Sequence, residues 1–162
     1  MTAPTLAVGD RAPDFTLPGP GGKPVRLADL TASKAVVVFF YPKDDTPGCT
    51  VEACTFRDRY DTFAAAGAEV VGISSDSLAS HDAFADKHKL PMTLLSDADG
   101  KVRKLFGVKS TLGLMPGRAT FVIDRKGVVR HVFVSQLRAG KHVDEALTVV
   151  QQLAREDKPA AD

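Results

Sequence analysis

The chain has 162 residues, a length suited to one domain, and 44% of them are hydrophobic, enough for a core without staples. Its 21 Lys and Arg meet 20 Asp and Glu, and the net charge of +1 argues against nucleic acid or an anionic membrane as the main partner. The longest apolar run, AVVVFF at 35–40, is far too short to span a bilayer.

The opening MTAPTLAVGDRAPDF shows no basic start followed by an apolar stretch. It reads as no secretory signal, so a cytoplasmic location is expected, with a mature organellar form equally compatible. Two cysteines in a reducing compartment are usually free thiols, catalytic groups or metal ligands.

Taken in chain order, DFTLPGPGGKPVRLADL reads as a hairpin, with strands Phe15–Leu17 and Val25–Leu27 around a GPGG turn. VVVFFY at 36–41 is a strand buried on both faces, as in a parallel sheet covered by helices. Residues 47–66 read as a helix stopped by Gly67, and AEVVGIS at 68–74 as a second buried strand. A helix over 78–90 is ended by Pro91, and TLLSD at 93–97 suggests a short strand. A turn and short helix follow at 97–107, then a Gly-, Ser- and Thr-rich loop at 108–117. ATFVID and VVRHVFV form a hairpin through RKG. The last helix, 142–156, carries Ala146, Val149, Val150 and Leu153 on one face, and DKPAAD is a frayed tail.

This order predicts an α/β protein with a thioredoxin fold. It adds an N-terminal β-hairpin and, at about 91–117, an insertion before the C-terminal β-hairpin and helix. A single domain over 1–162 is expected, with its core at about 9–153.

Both cysteines fall in YPKDDTPGCTVEAC, at a helix start. Thr46 is the expected N-cap and Pro47 the N1 residue, which places Cys49 at N3 among unpaired N–H groups. The positive end of the helix favours a thiolate there. An ordinary thiol is only about 3% ionised at pH 7. Reaching roughly 90% takes about 3.4 kcal/mol, whereas a helix terminus supplies about 0.3 to 2. A nearby cation must therefore contribute, or the thiol stays mostly neutral.

At about 100° per residue, Ala53, Phe56, Tyr60 and Phe63 share a core-facing stripe with Cys49, while Cys54 points about 140° away from it. Five helical residues set the two Cα atoms roughly 8.7 Å apart, beyond the roughly 7 Å that a disulfide tolerates. Spacing alone leaves open two unrelated thiols. A metal site is the weaker reading, because C-x4-C lacks a four-ligand set and His81, His88, His131 and His142 show no matching pattern. His81 and His88 are expected on a solvated helix face.

Pro42-x-x-x-Thr46-x-x-Cys49 resembles the active-site signature of the peroxiredoxins. FFYPKDDTPGCTVEACTFRD, with APDFTLP, EVVGISSDS, PMTLLSD, GVK, MPGRATFVID and HVDEAL, is similar to the peroxiredoxin Q, or bacterioferritin comigratory protein, branch over about residues 9–153. The resemblance implies a thiol-dependent peroxidase acting on hydrogen peroxide and organic hydroperoxides. In it Cys49 is the peroxidatic nucleophile, passing through a sulfenic acid. Cys54 is the resolving cysteine, which closes an intramolecular disulfide that thioredoxin or a similar dithiol reductant reopens.

The same resemblance has Thr46 accept from the Cys49 N–H and donate to the sulfur or peroxide. Pro42 shields the pocket, and Arg118 supplies the missing cation. Glu52 matches a glutamate common in the branch, although an ordinary first-turn helix acid would read the same. No haem, flavin or metal is implied, and a monomer is expected. A peroxide-sensing switch or holdase using the same cysteines is the alternative. A general disulfide oxidoreductase ranks last, for want of a C-x-x-C pair.

Overall fold

The computed structural model describes residues 6–108, 118–134 and 139–157. A five-stranded sheet runs through it. β3 (Ala35–Phe40), β4 (Ala68–Ser74) and β5 (Thr93–Ser96) are parallel, and β6 (Ala119–Ile123) and β7 (Val129–Val134) continue the sheet antiparallel. The order across it is β5-β4-β3-β6-β7, with β3 at the centre. A separate hairpin pairs β1 (Thr16–Pro18) with β2 (Pro24–Arg26). The helices are α1 (Leu27–Thr31), α2 (Pro47–Ala65), α3 (Leu78–His88), α4 (Lys101–Leu105) and α5 (Ala139–Asp157).

All six residues of β3 are buried, as an apolar run with no alternation requires. Val37 and Phe39 point to one face, where α2, α3 and α5 cover them with Phe56, Phe63, Phe84, Val143 and Val150. Val36, Val38 and Phe40 point to the other, under the hairpin, α1 and α4, against Leu17, Leu27, Val102 and Phe106. The period-2 geometry of one central strand thus builds both cores. On α5, Ala146, Val150 and Leu153 are buried as predicted. Gly67 ends α2 with φ +79°, a left-handed value that glycine takes freely.

Three expectations shift. The second hairpin strand ends at Arg26, because Leu27 opens α1. The Asp14 carboxylate, thirteen residues upstream of Leu27, accepts from the Ala28 N–H at 3.0 Å and from Arg26 Nε at 2.7 Å, a cap no local pattern displays. β5 is an integral edge of the main sheet, paired with β4 from Thr93 to Ser96, so the segment after 91 is more than an inserted loop. α3 stops at His88, where Lys89 turns left-handed (φ +53°) ahead of Pro91. The loop predicted at 108–117 and the frayed tail predicted at 157–162 lie outside the described residues, but for Val108 and for Asp157, which closes α5.

Candidate active site

β3 delivers the chain to the carboxyl ends of the parallel strands, where open α/β sheets place their sites. Pro42 follows, half-buried, and α2 begins at Pro47 with Thr46 as its extended N-cap residue. Cys49 lies in the first turn on the inward face, 1% exposed. Cys54 is half-buried, and both are free thiols.

Arg118, immediately before β6, reaches across to this turn and is 4% exposed. Its Nη2 lies 3.2 Å from Cys49 Sγ, and its Nη1 donates to Glu52 Oε1 at 2.7 Å. The cation that the helix terminus alone could not replace is therefore in contact with the sulfur. Gly48 makes room for it, since a Cβ there would stand 3.1 Å from Arg118 Nη2. Burial works against the Arg118 charge, but Glu52 and Cys49 outweigh it and hold the guanidinium above its ordinary value.

Glu52 is fully buried, and it sits in the second turn rather than the first. It is no solvated helix acid, because α2 turns this position toward Arg118. Burial raises its carboxyl to about 7, while the charge and hydrogen bond of Arg118 pull it down. Among the described residues its Oε2 and Arg118 Nε find no hydrogen-bond partner. Behind it lies His142 of α5, with Nδ1 3.7 Å from that Oε2 and 2.7 Å from Thr120 Oγ1 of β6.

Thr46 departs from expectation. Its hydroxyl donates to the Lys43 carbonyl at 3.0 Å, and its side chain caps no N–H of α2. Its carbonyl accepts the first helical bond, from the Thr50 N–H at 2.8 Å. The hydroxyl is thus engaged within the 43–46 turn.

His81 also corrects the sequence reading. It is 2% exposed, not on a solvated face. One turn from Phe84 on the same side of α3, it is carried inward, and Asp44 supplies the polar partner that burial demands. Asp44 Oδ2 lies 2.7 Å from His81 Nδ1 and accepts from Ser80 at 2.8 Å, while Oδ1 accepts from the Tyr41 hydroxyl at 2.6 Å. His81 Nε2 donates to the Leu95 carbonyl at 3.0 Å. Burial disfavours the imidazolium, yet the hydrogen bond and charge of Asp44 prevail and raise its pKa above 6.5. Asp76 joins through the Asp44 N–H at 2.8 Å and the Ser74 hydroxyl at 2.7 Å. Asp44, Asp76 and His81 bring one potential ligand atom each within 4.8 Å, but the Asp44 and His81 atoms already have protein partners. The cluster locks the loop between β3 and α2 onto α3. His88, half-buried, meets Asp45 at 3.3 Å on the outer side of the same loop.

Sequence reasoning also passed over Arg103. It is 9% exposed, donates to the Tyr41 carbonyl at 3.0 Å and lies over the Phe40 ring at 5.7 Å. Burial lowers its pKa, against the attraction of Asp97 and Cys49, so a second guanidinium contributes to the field at the sulfur. The Asp97 carboxylate holds the start of its helix by accepting from the Val102 and Arg103 N–H groups. Only an acid ahead of a short basic helix hinted at this.

The AhpC/TSA family profile matches residues 8–132. The chloroplastic peroxiredoxin Q of Sedum lineare is 56% identical over 146 residues, covering 90% of this chain and 78% of its own. The chain belongs to the AhpC/TSA family, in its peroxiredoxin Q branch. Peroxidoxin BcpB from Mycobacterium tuberculosis superposes with a TM-score of 0.83 at 41% identity, over 94% of this chain and 98% of that one. A Cys→Ser mutant of PrxQ from Xylella fastidiosa gives 0.85 at 29% identity, over 94% and 99%. The fold is thus the thioredoxin fold of the peroxiredoxins, and the chain is a thiol-dependent peroxidase. Peroxides and a reductant are its partners as a member of that family. The plant relatives are chloroplastic, so they lend the cytoplasmic expectation no support and agree with an organellar form.

Proposed function

We propose that this peroxiredoxin reduces hydrogen peroxide and organic hydroperoxides through Cys49, with Cys54 resolving and thioredoxin or a similar dithiol as reductant. The observation that carries the reading is the Arg118 fork, 3.2 Å from a buried sulfur at a helix start. The Cys49 thiolate attacks one peroxide oxygen. An S–O bond forms, the O–O bond breaks, sulfur is oxidised to sulfenic acid, and the departing oxyanion takes a proton to leave as water or alcohol. Arg118, with Arg103 behind, stabilises both the thiolate and the charge moving onto that oxyanion. Pro42 walls the pocket. Thr46 reaches the sulfur or peroxide only by releasing Lys43. The likeness to the bacterioferritin comigratory protein of Xanthomonas campestris, described for alkyl peroxide reduction, supports organic hydroperoxides among the substrates (TM-score 0.78, 32% identity).

Cys54 then attacks the Cys49 sulfur, the S–S bond forms and water leaves. An intact α2 keeps these sulfurs apart, so its first turns must unwind. Their composition favours this, since Gly48, Thr50, Val51 and Thr55 are all weak helix formers. Cys49 and Cys54 are the two cysteines of this sequence, and a monomer suits a disulfide closed within one chain.

The test is peroxide-driven NADPH oxidation with thioredoxin and its reductase. Sustained turnover is expected, with none in Cys49→Ser and a trapped sulfenic acid in Cys54→Ser. A single equivalent of peroxide consumed would sink the catalytic cycle. Equal hydrogen exchange across 46–58 in the reduced and oxidised forms would sink the unwinding.

A further inference from the structure

Behind Arg118 the fold encloses a group of polar atoms that the peroxide chemistry does not use. Glu52 comes from α2, Thr120 from β6 and His142 from α5, and all three are 0% exposed. Glu52 Oε1 serves Arg118, whereas Oε2 has no hydrogen-bond partner among the described residues and faces His142 Nδ1 at 3.7 Å. The same Nδ1 is 2.7 Å from Thr120 Oγ1. The edge-on ring of Phe133, with its centroid 4.5 Å away, bounds His142 from β7. An apolar residue would have filled this space at lower cost, since each buried polar group loses its hydration.

We propose that His142 is a positioning residue of the Cys49 site, acting through Glu52. Glu52 Oε2, His142 Nδ1 and Thr120 Oγ1 hold a proton between them, and its place sets how much of the Arg118 charge is left for the sulfur. With the proton on His142, a Glu52 carboxylate offsets Arg118. With the proton on Glu52, its carboxyl oxygen still accepts from Arg118 Nη1, so the fork stays in place while the opposing charge disappears. Among the described residues, the charged and titratable groups facing Glu52 are Arg118 from the β6 side, Cys49 on its own helix and His142 from α5. Thr120 and Glu52 are among the groups that face His142, and Lys141, on its own helix, stands over the far Phe133 ring at 5.9 Å. The raised Glu52 carboxyl, at about 7, makes the switch accessible near neutrality.

The arrangement tunes reactivity in both directions. A thiolate held too firmly is a poorer nucleophile, and the best attacking thiol titrates near ambient pH. A permanently uncompensated Arg118 would sacrifice nucleophilicity for ionisation. A carboxylate that yields its charge gradually avoids that extreme.

The inference rests on Cys49 as the reactive sulfur, so the experiment measures that thiol directly rather than through turnover. In the Cys54→Ser background, the rate of Cys49 alkylation by iodoacetamide is followed against pH. His142→Phe leaves Glu52 Oε2 against an apolar ring and keeps it protonated. The acid limb of the profile should then move to lower pH, with alkylation about threefold to tenfold faster at a fixed pH on that limb. Glu52→Gln should do the same, and His142→Phe should add nothing further in the Glu52→Gln chain. His142→Asn, which keeps a polar partner for Thr120 but cannot titrate, should move the limb the same way and covers the case in which Phe does not fold. An unmoved limb, a shift to higher pH, or a full additional effect in the double variant overturns the proposal. Failure of the peroxidase reading shows separately, as unmodified protein that alkylates at Cys49 but consumes no peroxide.

Discussion

Two buried ion pairs flank the start of α2, and they are built to different standards. In the Asp44–His81 pair both carboxylate oxygens and both ring nitrogens have partners, drawn from Tyr41, Ser80 and the Leu95 carbonyl as well as from each other. In the Arg118–Glu52 pair Glu52 Oε2 and Arg118 Nε have none among the described residues. A satisfied buried network holds one geometry, whereas an incomplete one leaves charge to interact with something else. Here that something is Cys49. The first pair holds the loop still, and the second sets a guanidinium against the sulfur.

Each pair can be broken separately, and the readouts should not cross. Removing one partner of a buried pair typically costs about 3 to 5 kcal/mol, so Asp44→Ala should show the largest change, a stability loss of that order in urea unfolding. An unchanged urea midpoint would deny the lock. Its pH dependence has a definite sign. His81 is raised above 6.5 in the fold, so its contribution is complete below 6.5 and lost as pH rises through the folded value. The stability gap between the parent protein and Asp44→Ala should therefore narrow on the alkaline side.

Arg118→Ala should come next, slowing the peroxide step by about 10²- to 10³-fold, the usual cost of one donor to developing charge. Arg118→Lys keeps the charge but cannot serve Glu52 and Cys49 at once, and most of that loss should persist. Stopped-flow peroxide consumption measures both, and near-normal rates in Lys would reduce Arg118 to a point charge.

Glu52→Gln reverses the usual sign. The folded carboxyl holds its proton to about 7 against an ordinary 4.5, so the fold binds the extra proton across that window and loses stability as pH rises through it. Glu52→Gln should match the parent below 4.5 and exceed it above 7 in thermal melts. An alkaline deficit in the variant would mean that Arg118 compensates Glu52 fully. The smallest effect belongs outside both pairs. Lys87 meets Asp45 at 2.9 Å on the exposed side of the same loop, and Lys87→Ala should leave stability and rate indistinguishable from the parent.

The strands, α2 and the hairpins were legible because their signals are local. An unbroken apolar run gave β3, Thr-Pro opened α2, and a left-handed glycine closed it. The place of Cys49 followed from helix register, and the need for a cation followed from comparing magnitudes. The identity of Arg118 came from the resemblance rather than from its surroundings in the chain. His81 was misjudged because a histidine on an amphipathic helix reads as exposed until its acidic partner is seen. Asp44, 37 positions earlier, is that partner.

The sequence by itself determined the sheet strands and the long helices, the parity of β3 that makes two cores, and the helix start that carries the sulfur. These rest on dihedral preference and periodicity, which act over a few residues. Tertiary structure alone decided the charges around that sulfur. Arg118 stands 69 positions from Cys49, and Arg103 62 from the carbonyl it holds. Such contacts arise only when strand order and helix packing bring distant segments together, and only then does burial give their charges weight, because the low dielectric that strengthens a pair exists nowhere in the unfolded chain.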